Sequence, residues 1–328
     1  TKNTIRLVIL LLTILSAPIL ANAYTLKDNS TGGDCSSIGI WDIATKTCTF
    51  TQDVFEAIQI DNDNIILDGA GFTLTGIAGR GIGVFLSGRT GVTIRNITIQ
   101  NFLRNISFIS SNSNRIENTT LINARSGAIS LTNSDGNTII GNTSSGILSG
   151  TGIFLDNSNN NLIKGNTASN ISAGIETQFS SGNSIVDNTL DNNGFLGLSL
   201  VNAQNTTVTG NVFTNSYVRI IGIDGPQGNT IDTTNTLDGK LLYYFENISN
   251  QVFDDADGSL NVGAFYCMGC DNITVRNFNI NSVYDGITFV GTINSVIENS
   301  DTTNTVNNSI YIREGNSNTV LITLVQVG

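Results

Sequence analysis

GAISLTNSDGNTIIGNTSSGILSGTGIFLDNSNNNLIKGNTASNISAGIETQFSSGNSIVDNTLDNNGFLGLSLVNAQNTTVTGN, residues 127–211, is built on one returning unit, N-x-[IV]-x-x-N. The unit falls at Asn137–Ile139–Asn142, Asn161–Ile163–Asn166 and Asn183–Ile185–Asn188, and its second half returns at Val208 and Asn211. Self-similarity at a fixed period of a few tens of residues is the mark of a solenoid and takes precedence over local strand or helix preference. One column, Ile94, Ile116, Ile139, Ile163, Ile185, Val208 and Ile231, is spaced 22, 23, 24, 22, 23 and 23 residues apart. It resumes at Val275, Val296 and Val320, and the gap of 44 from Ile231 to Val275 is two periods, which predicts a modified turn of the same coil between them.

Two further apolar columns precede the first by eight and ten residues, for example Leu155 with Ile153 and Leu200 with Leu198. On the later rungs the same spacing selects Ile221 and Ile223, Phe265 and Cys267, then Gly286 and Thr288. Two columns two residues apart are the inward face of a short strand, because strand side chains alternate. Segments of about five residues, punctuated by Gly, Asn, Ser and Asp, follow strand-and-turn chemistry. Each rung is too short for a βαβ unit of roughly 30 residues. The expected fold is therefore all-β: a single-stranded, right-handed parallel β-helix of about eleven rungs of 22–24 residues, about 50 Å long at ~4.8 Å per rung. Helix is expected to be nearly absent after residue 23. The Asn columns read as structural, with left-handed bends and side-chain ladders from rung to rung.

Around this core, residues 1–23 read as a secretory signal peptide. Lys2 and Arg6 flank an apolar Leu7–Leu15 run, and Ala21–Asn22–Ala23 is a small-x-small cleavage site. Residues 24–60 form an N-terminal cap, in which Cys35 and Cys48 are expected to pair and Trp41, the single Trp, to plug the open end. Residues 61–328 carry the repeats, with 241–262 a modified rung or insertion. The chain stops partway through a rung and is expected to continue beyond Gly328.

The composition excludes several functions. With no His among 328 residues, imidazole is lost as a general base and as a metal ligand. A net charge of −11 disfavours nucleic acid. Charged residues are 12 %, while 39 % of residues are apolar and fall in columns, which argues for a continuous core.

Three stretches carry a resemblance. GDCSSIGIWDIATKTC near the N-terminus, IILDGAGFTLTG, and the N-x-I-x-x-N-T repeats are similar to secreted NosD-type proteins. These are also described as periplasmic copper-binding or carbohydrate-binding CASH-domain β-helix proteins. The later block NTLDGKLLYYFENISN…CMGCDNITVRNFNI resembles a recurring block of the same family. The resemblance implies a β-helix and export. Its copper label finds few donors here: Cys267, Cys270 and Met268 are the only soft ligands outside the Cys35–Cys48 pair. Cys267 lies in the inward column and reads as a buried, inert thiol, with a Cys267–Cys270 bridge as the alternative.

Candidate chemistry sits on the outward strand positions. The column arithmetic brings Phe154, Asp156, Glu176 and Gln178 onto adjacent rungs, with Asp156 and Glu176 diagonal neighbours about 8 Å apart along the backbone. Two carboxylates at roughly 6.5–9.5 Å can act as acid and base across a glycosidic bond. Phe154 and Gln178 would hold the sugar. The competing and preferred reading is a solvated face with scattered acids, which leans away from an enzyme. Arg219 and Lys164 lie nearby without a spacing that forces a cluster. Asp254, Asp255 and Asp257 are a weak calcium candidate set against a solvated acidic turn; no other cofactor is expected. The expected function is an exported monomer, secreted, periplasmic or at the cell surface, with no membrane span in the mature chain. It would bind polysaccharide or another cell-envelope component along its outer face. The alternatives are a polysaccharide hydrolase or lyase, and a purely structural envelope protein.

Overall fold

The computed structural model describes residues 23–77, 79–147, 149–221, 225–321 and 324–326. The segment read as a signal peptide lies outside these residues except for Ala23. The chain is a parallel β-solenoid of about twelve turns, and a single 3-10 turn, Cys35–Ser37, is the only helical element among the described residues. Each rung contributes three strands, such as Thr151–Asp156, Leu162–Lys164 and Thr167–Ser169, one to each of three sheets. The second sheet stacks the tracking column in register: Ile94 on Ile116, Ile139, Ile163, Ile185, Val208 and Ile231. All seven are buried. Stacking identical apolar side chains fills the interior, and its cohesion is the burial of methyl groups rather than any local preference.

The asparagines divide into two sets with different work. One set is exposed and sits at bends with left-handed backbone angles, as at Asn96, Asn118 and Asn192 (φ 51°, 51° and 49°). Asn tolerates this conformation better than other residues with a Cβ. The other set is buried and flanks strands of the second sheet. Asn114–Asn137–Asn161–Asn183 forms one ladder, with amide-to-amide bonds of 3.1, 3.1 and 3.2 Å. Asn142–Asn166–Asn188–Asn211–Asn235 forms the other, with bonds of 3.0, 3.0, 2.9 and 2.9 Å. In both, Oδ1 also accepts the backbone N–H of the preceding rung, so each corner of the coil is satisfied internally.

At the N-terminal end Leu26, Ile38 and Phe50 are fully buried, as are Cys35 and Cys48, and half-buried Trp41 lies over Gly32. A Cβ on Gly32 would come within 2.4 Å of the Trp41 ring. Cys35 and Cys48 are disulfide-bonded, with Cα atoms 5.8 Å apart.

The regular coil ends at Thr236–Leu237. A turn at Asp238–Gly239 sends the chain back, and Lys240–Glu246 pairs antiparallel to Thr236–Leu237. The coil therefore does not simply continue across the 44-residue gap, as the period suggested. A new coil begins from the returning strand, which stacks in parallel with Val262–Met268, then Asp285–Val290 and Asn308–Arg313. Ser249–Asp254, Asp271–Arg276, Val296–Glu298 and Thr319–Leu321 build its second wall. Asn279–Asn281, Asp301–Thr303 and Leu324–Gln326 build its third. Its interior is aromatic, with Phe265 in ring contact with Tyr243, Phe245, Phe253, Phe278 and Phe289. The two coils are joined by Glu246, whose carboxylate accepts the backbone N–H groups of Gln227, Gly228 and Asn229 at 3.1, 2.8 and 3.1 Å.

Register corrects the column arithmetic in two places. In the second coil the stacked residues are Val275–Ile297–Val320, Phe265–Ile287–Ile310 and Cys267–Phe289–Ile312, so Val296, Gly286 and Thr288 are each one residue off. In the last rung of the first coil, an irregularity between Leu196 and Leu198 shifts the pairing. Val218 and Ile220 then point inward, and Ile221, read as inward, is 38 % exposed. Ile223 lies outside the described residues.

Candidate functional site

The six-residue strands of the first sheet explain which side chains face out. Their second position turns inward and, except at Asn105, is Gly or Ala: a Cβ on Gly197 would meet the Phe213 ring at 2.6 Å. The third and fifth positions fill the core, as Ile153 and Leu155 do. The first, fourth and sixth positions are left on the outer face. The fourth forms a file, Phe85–Ser107–Ser130–Phe154–Glu176–Ser199–Arg219. The sixth forms another, Ser87–Ile109–Thr132–Asp156–Gln178–Val201–Ile221. Gly222 and Asp224, which the period placed next in these files, lie outside the described residues; the register shift puts Arg219 and Ile221 there.

Phe154, Asp156, Glu176 and Gln178 are all half-buried and lie on paired strands, Phe154 opposite Glu176 and Asp156 opposite Gln178. Glu176 turns along its own file. Its Oε1 accepts from Gln178 Nε2 at 2.8 Å and lies 3.6 Å from Arg219 Nη2. Arg219 donates from Nε and Nη2 to Ser199 Oγ at 3.1 and 2.8 Å. The result is a Gln178–Glu176–Arg219–Ser199 network across three rungs. Asp156 stays outside it and accepts from Asn157 Nδ2 at 2.9 Å. Arg219 is the member that spacing did not select, because the irregularity at Leu196–Leu198 brings it into the file. Lys164 belongs to another face, 3.8 Å from Asp187 on the second sheet. Phe154 also forms one wall of a shallow furrow of about 200 Å³ with Arg104, Ser130 and Thr151.

The acidic turn disperses its carboxylates. Asp254 pairs with Arg276 Nε at 2.8 Å and accepts from Asn277 Nδ2 at 2.7 Å, and the Asn277 bond leads in holding it below the usual carboxylate range. Asp257 is lowered by its hydrogen bonds with Ser259, and Asp255 accepts the N–H of Leu260 at 2.8 Å. Among the described residues no group of three or more His, Cys, Asp or Glu side chains is placed to hold a metal ion.

Cys267 is not a buried thiol. It is bridged to Cys270, with Cα atoms 5.9 Å apart, because the left-handed turn at Gly269 (φ 64°) folds the strand end back on itself. With four cysteines in two disulfides, no His, and Met268 only 1 % exposed, the side chains present do not fit a copper site.

The family profile described as "Periplasmic copper-binding protein (NosD)" matches residues 56–240, more than half of the chain. No curated protein matches in sequence. Among solved structures, the chain is similar to the catalytic domain of a GH87 α-1,3-glucanase in complex with nigerose. That match has 15 % identity, a TM-score of 0.44, and coverage of 94 % of this chain and 68 % of the other. A tailspike protein of E. coli bacteriophage HK620 in complex with pentasaccharide matches at 12 % identity and TM-score 0.46, covering 86 % and 71 %. DFA-IIIase from Arthrobacter chlorophenolicus A6 without its lid matches at 12 % and 0.43, covering 84 % and 68 %.

Proposed function

The chain belongs to the NosD family, and we propose that it is an exported β-helix that binds polysaccharide along the outer face of its first sheet. One observation carries this reading: an aromatic ring, Phe154, stands on paired strands beside Asp156 and the Gln178–Glu176–Arg219–Ser199 network. An apolar ring suits the C–H face of a sugar, and the carboxylates, amide and guanidinium can exchange hydrogen bonds with its hydroxyls. Neighbouring rungs repeat about every 4.8 Å, which offers a polymer several contacts in line. The two disulfides suit an oxidising compartment. The acidic turn at Asp254–Asp257 is a secondary surface whose carboxylates are already engaged.

Affinity electrophoresis in gels containing neutral and acidic polysaccharides tests the proposal. A binder is expected to be retarded by at least one polymer. Phe154→Ala should relieve the retardation without unfolding the chain, since that side chain leaves no core cavity. Asp156→Asn and Glu176→Gln separate binding from hydrolysis. A binder keeps much of its affinity, because the amides still hydrogen-bond, whereas a hydrolase loses nearly all release of reducing sugar. Retardation that survives all three substitutions would place the site elsewhere. No retardation by any polymer would leave the purely structural reading.

A further inference from the structure

The two coils leave a corner cleft of about 360 Å³ between the edge strand Tyr217–Ile221 and the outer face of Asp285–Val290 and Asn308–Arg313. The corner is pinned where Tyr266 Oη donates to the Val218 carbonyl at 3.4 Å and where the Phe195 and Tyr284 rings meet edge to face at 5.7 Å. Ile220, Met268 and Val290 supply apolar lining, and half-buried Tyr311 adds an aromatic ring. Asp285, only 5 % exposed, also lines the cleft; its Oδ1 accepts from Asn307 Nδ2 and Asn308 Nδ2 at 2.9 and 3.0 Å. Burial pushes this carboxyl above its ordinary range. Thr288, 4 % exposed, lines the same cleft, and its buried Oγ1 has no hydrogen-bond partner. Buried hydroxyls are ordinarily satisfied, so a ligand atom at this place completes the site.

We infer that the corner cleft is a pocket for a single neutral sugar residue, seated against Tyr311 with its hydroxyls on Asp285 and Thr288. The choice of a sugar rests on the outer-face reading, but the pocket uses none of the same residues. The volume lies at the small end of ligand pockets, which suits a chain end or a branch rather than a polymer lying through it. A purely apolar ligand would leave Thr288 and Asp285 facing carbon. An anion meets the Asp285 carboxyl, while the two nearby guanidinium groups are already paired, Arg219 with Glu176 at 3.6 Å and Arg313 with Glu314 at 3.5 Å. A polyol can donate to the carboxyl, accept from the amides and engage the threonine at once.

Met268 is the one methionine of the sequence and lines the cleft, so a ¹³C-methyl methionine label gives a direct reporter. The full chain would be titrated with the methyl glycosides of glucose, galactose, mannose and N-acetylglucosamine. Methyl glucuronide serves as the anionic probe and cyclohexanol as the apolar one. At least one neutral glycoside is expected to shift the Met268 signal saturably, in the millimolar range. Thr288→Val, nearly isosteric, and Tyr311→Ala should each weaken it by about tenfold, while Val252→Thr on a different sheet leaves it unchanged. A signal unmoved by every neutral glycoside, or moved as well by glucuronide or cyclohexanol, overturns the inference, as does full affinity in Thr288→Val. Polysaccharide retardation that depends on Phe154, with a silent methyl, would remove the cleft and keep the outer face. A responding methyl with no retardation would do the reverse.

Discussion

Replacing Asn188 by alanine isolates what the buried ladders contribute. Asn188 is fully buried, and its Oδ1 accepts both the backbone N–H and the Nδ2 of Asn166, at 2.9 and 3.0 Å. Its own Nδ2 donates to the Ile163 carbonyl at 3.0 Å and to Asn211 Oδ1 at 2.9 Å. After truncation, Asn166 Nδ2 still reaches the Ile139 carbonyl, and Asn211 Oδ1 still accepts the backbone N–H of residue 188. The backbone N–H of Asn166 loses its acceptor in a buried corner, at about 1–3 kcal/mol. With weakening of the remaining bonds and a small void, the expected total is about 2–4 kcal/mol. Asn192, four residues on, is the control: it is exposed, with φ 49°. Asn192→Ala should cost only about 1–2 kcal/mol, because alanine lacks the polar side chain that eases Asn into the left-handed region and loses the exposed bond from Asn215 Nδ2 at 3.0 Å. Asn192→Gly, which relieves the backbone, should cost less. Urea denaturation followed by circular dichroism gives the ranking, and amide hydrogen exchange at Asn166 gives the local effect. The ladder reasoning is refuted if Asn188→Ala is no worse than Asn192→Ala, or if the Asn166 amide exchanges no faster.

Three further outcomes follow from the same geometry. Removing the Cys35–Cys48 bridge, which closes a 14-residue loop, should cost about 3 kcal/mol in the chain-entropy model, against about 2 kcal/mol for the short Cys267–Cys270 loop; thermal melts of the two Cys→Ala double variants check the order. Asp285 is raised from its ordinary 3.8 mainly by burial, so the folded chain holds this proton more tightly than the unfolded one. Its contribution to stability grows as pH falls through the window between the raised value and 3.8, and is lost as pH rises. The melting-temperature difference between the native chain and Asp285→Asn should therefore increase from about pH 6 to pH 4, and a flat or falling difference contradicts the burial account. Titration calorimetry with Cu(I) and Cu(II) should show no stoichiometric tight site, because no soft or imidazole donor is exposed to receive the ion; submicromolar copper binding would reverse that conclusion.

The fold was legible because stacked identical side chains leave a period that needs no knowledge of distant contacts. Ile94 to Ile231 could be aligned by counting, and register confirms each pair. The two uses of asparagine were less legible. Asn188 and Asn192 differ only in whether the bend turns them inward, and a letter does not carry that. Asn159 belongs to no repeated Asn column, yet its Oδ1 accepts the Ser181 N–H at 2.7 Å while its own N–H donates to Asp135, a third ladder of mixed residues that no single-letter repeat reveals. The Phe154–Glu176 pairing followed from spacing alone. Arg219 did not, since one irregularity at Leu196–Leu198 moves the strand Tyr217–Ile221 by a place, and counting has no way to register a bulge.

The break in the period matters more for function than the period does. A regular coil offers a flat, one-sided sheet, where ligands are held by whatever stands outward in two files. The Asp238–Gly239 turn ends that regularity and makes the Val262–Met268 and Asp285–Val290 strands buried on both faces, the inner one by aromatic rings and the outer one partly by Val218. A strand buried on both faces can no longer place polar groups freely, so each one there has a cost to offset. Asp285 meets it with two amide donors, and Tyr266 with a backbone carbonyl. Thr288 alone in this corner has nothing. Other buried polar atoms among the described residues also lack a partner, Thr177 Oγ1 and Thr302 Oγ1 among them, but Thr288 is the one of that set that lines the corner cleft. Where local consistency fails beside a cleft, a functional constraint is the economical cause. The same residue was misassigned to the core column by counting, which is what its position predicts: the period describes how the coil packs, and Thr288 stands on the face where the two coils meet.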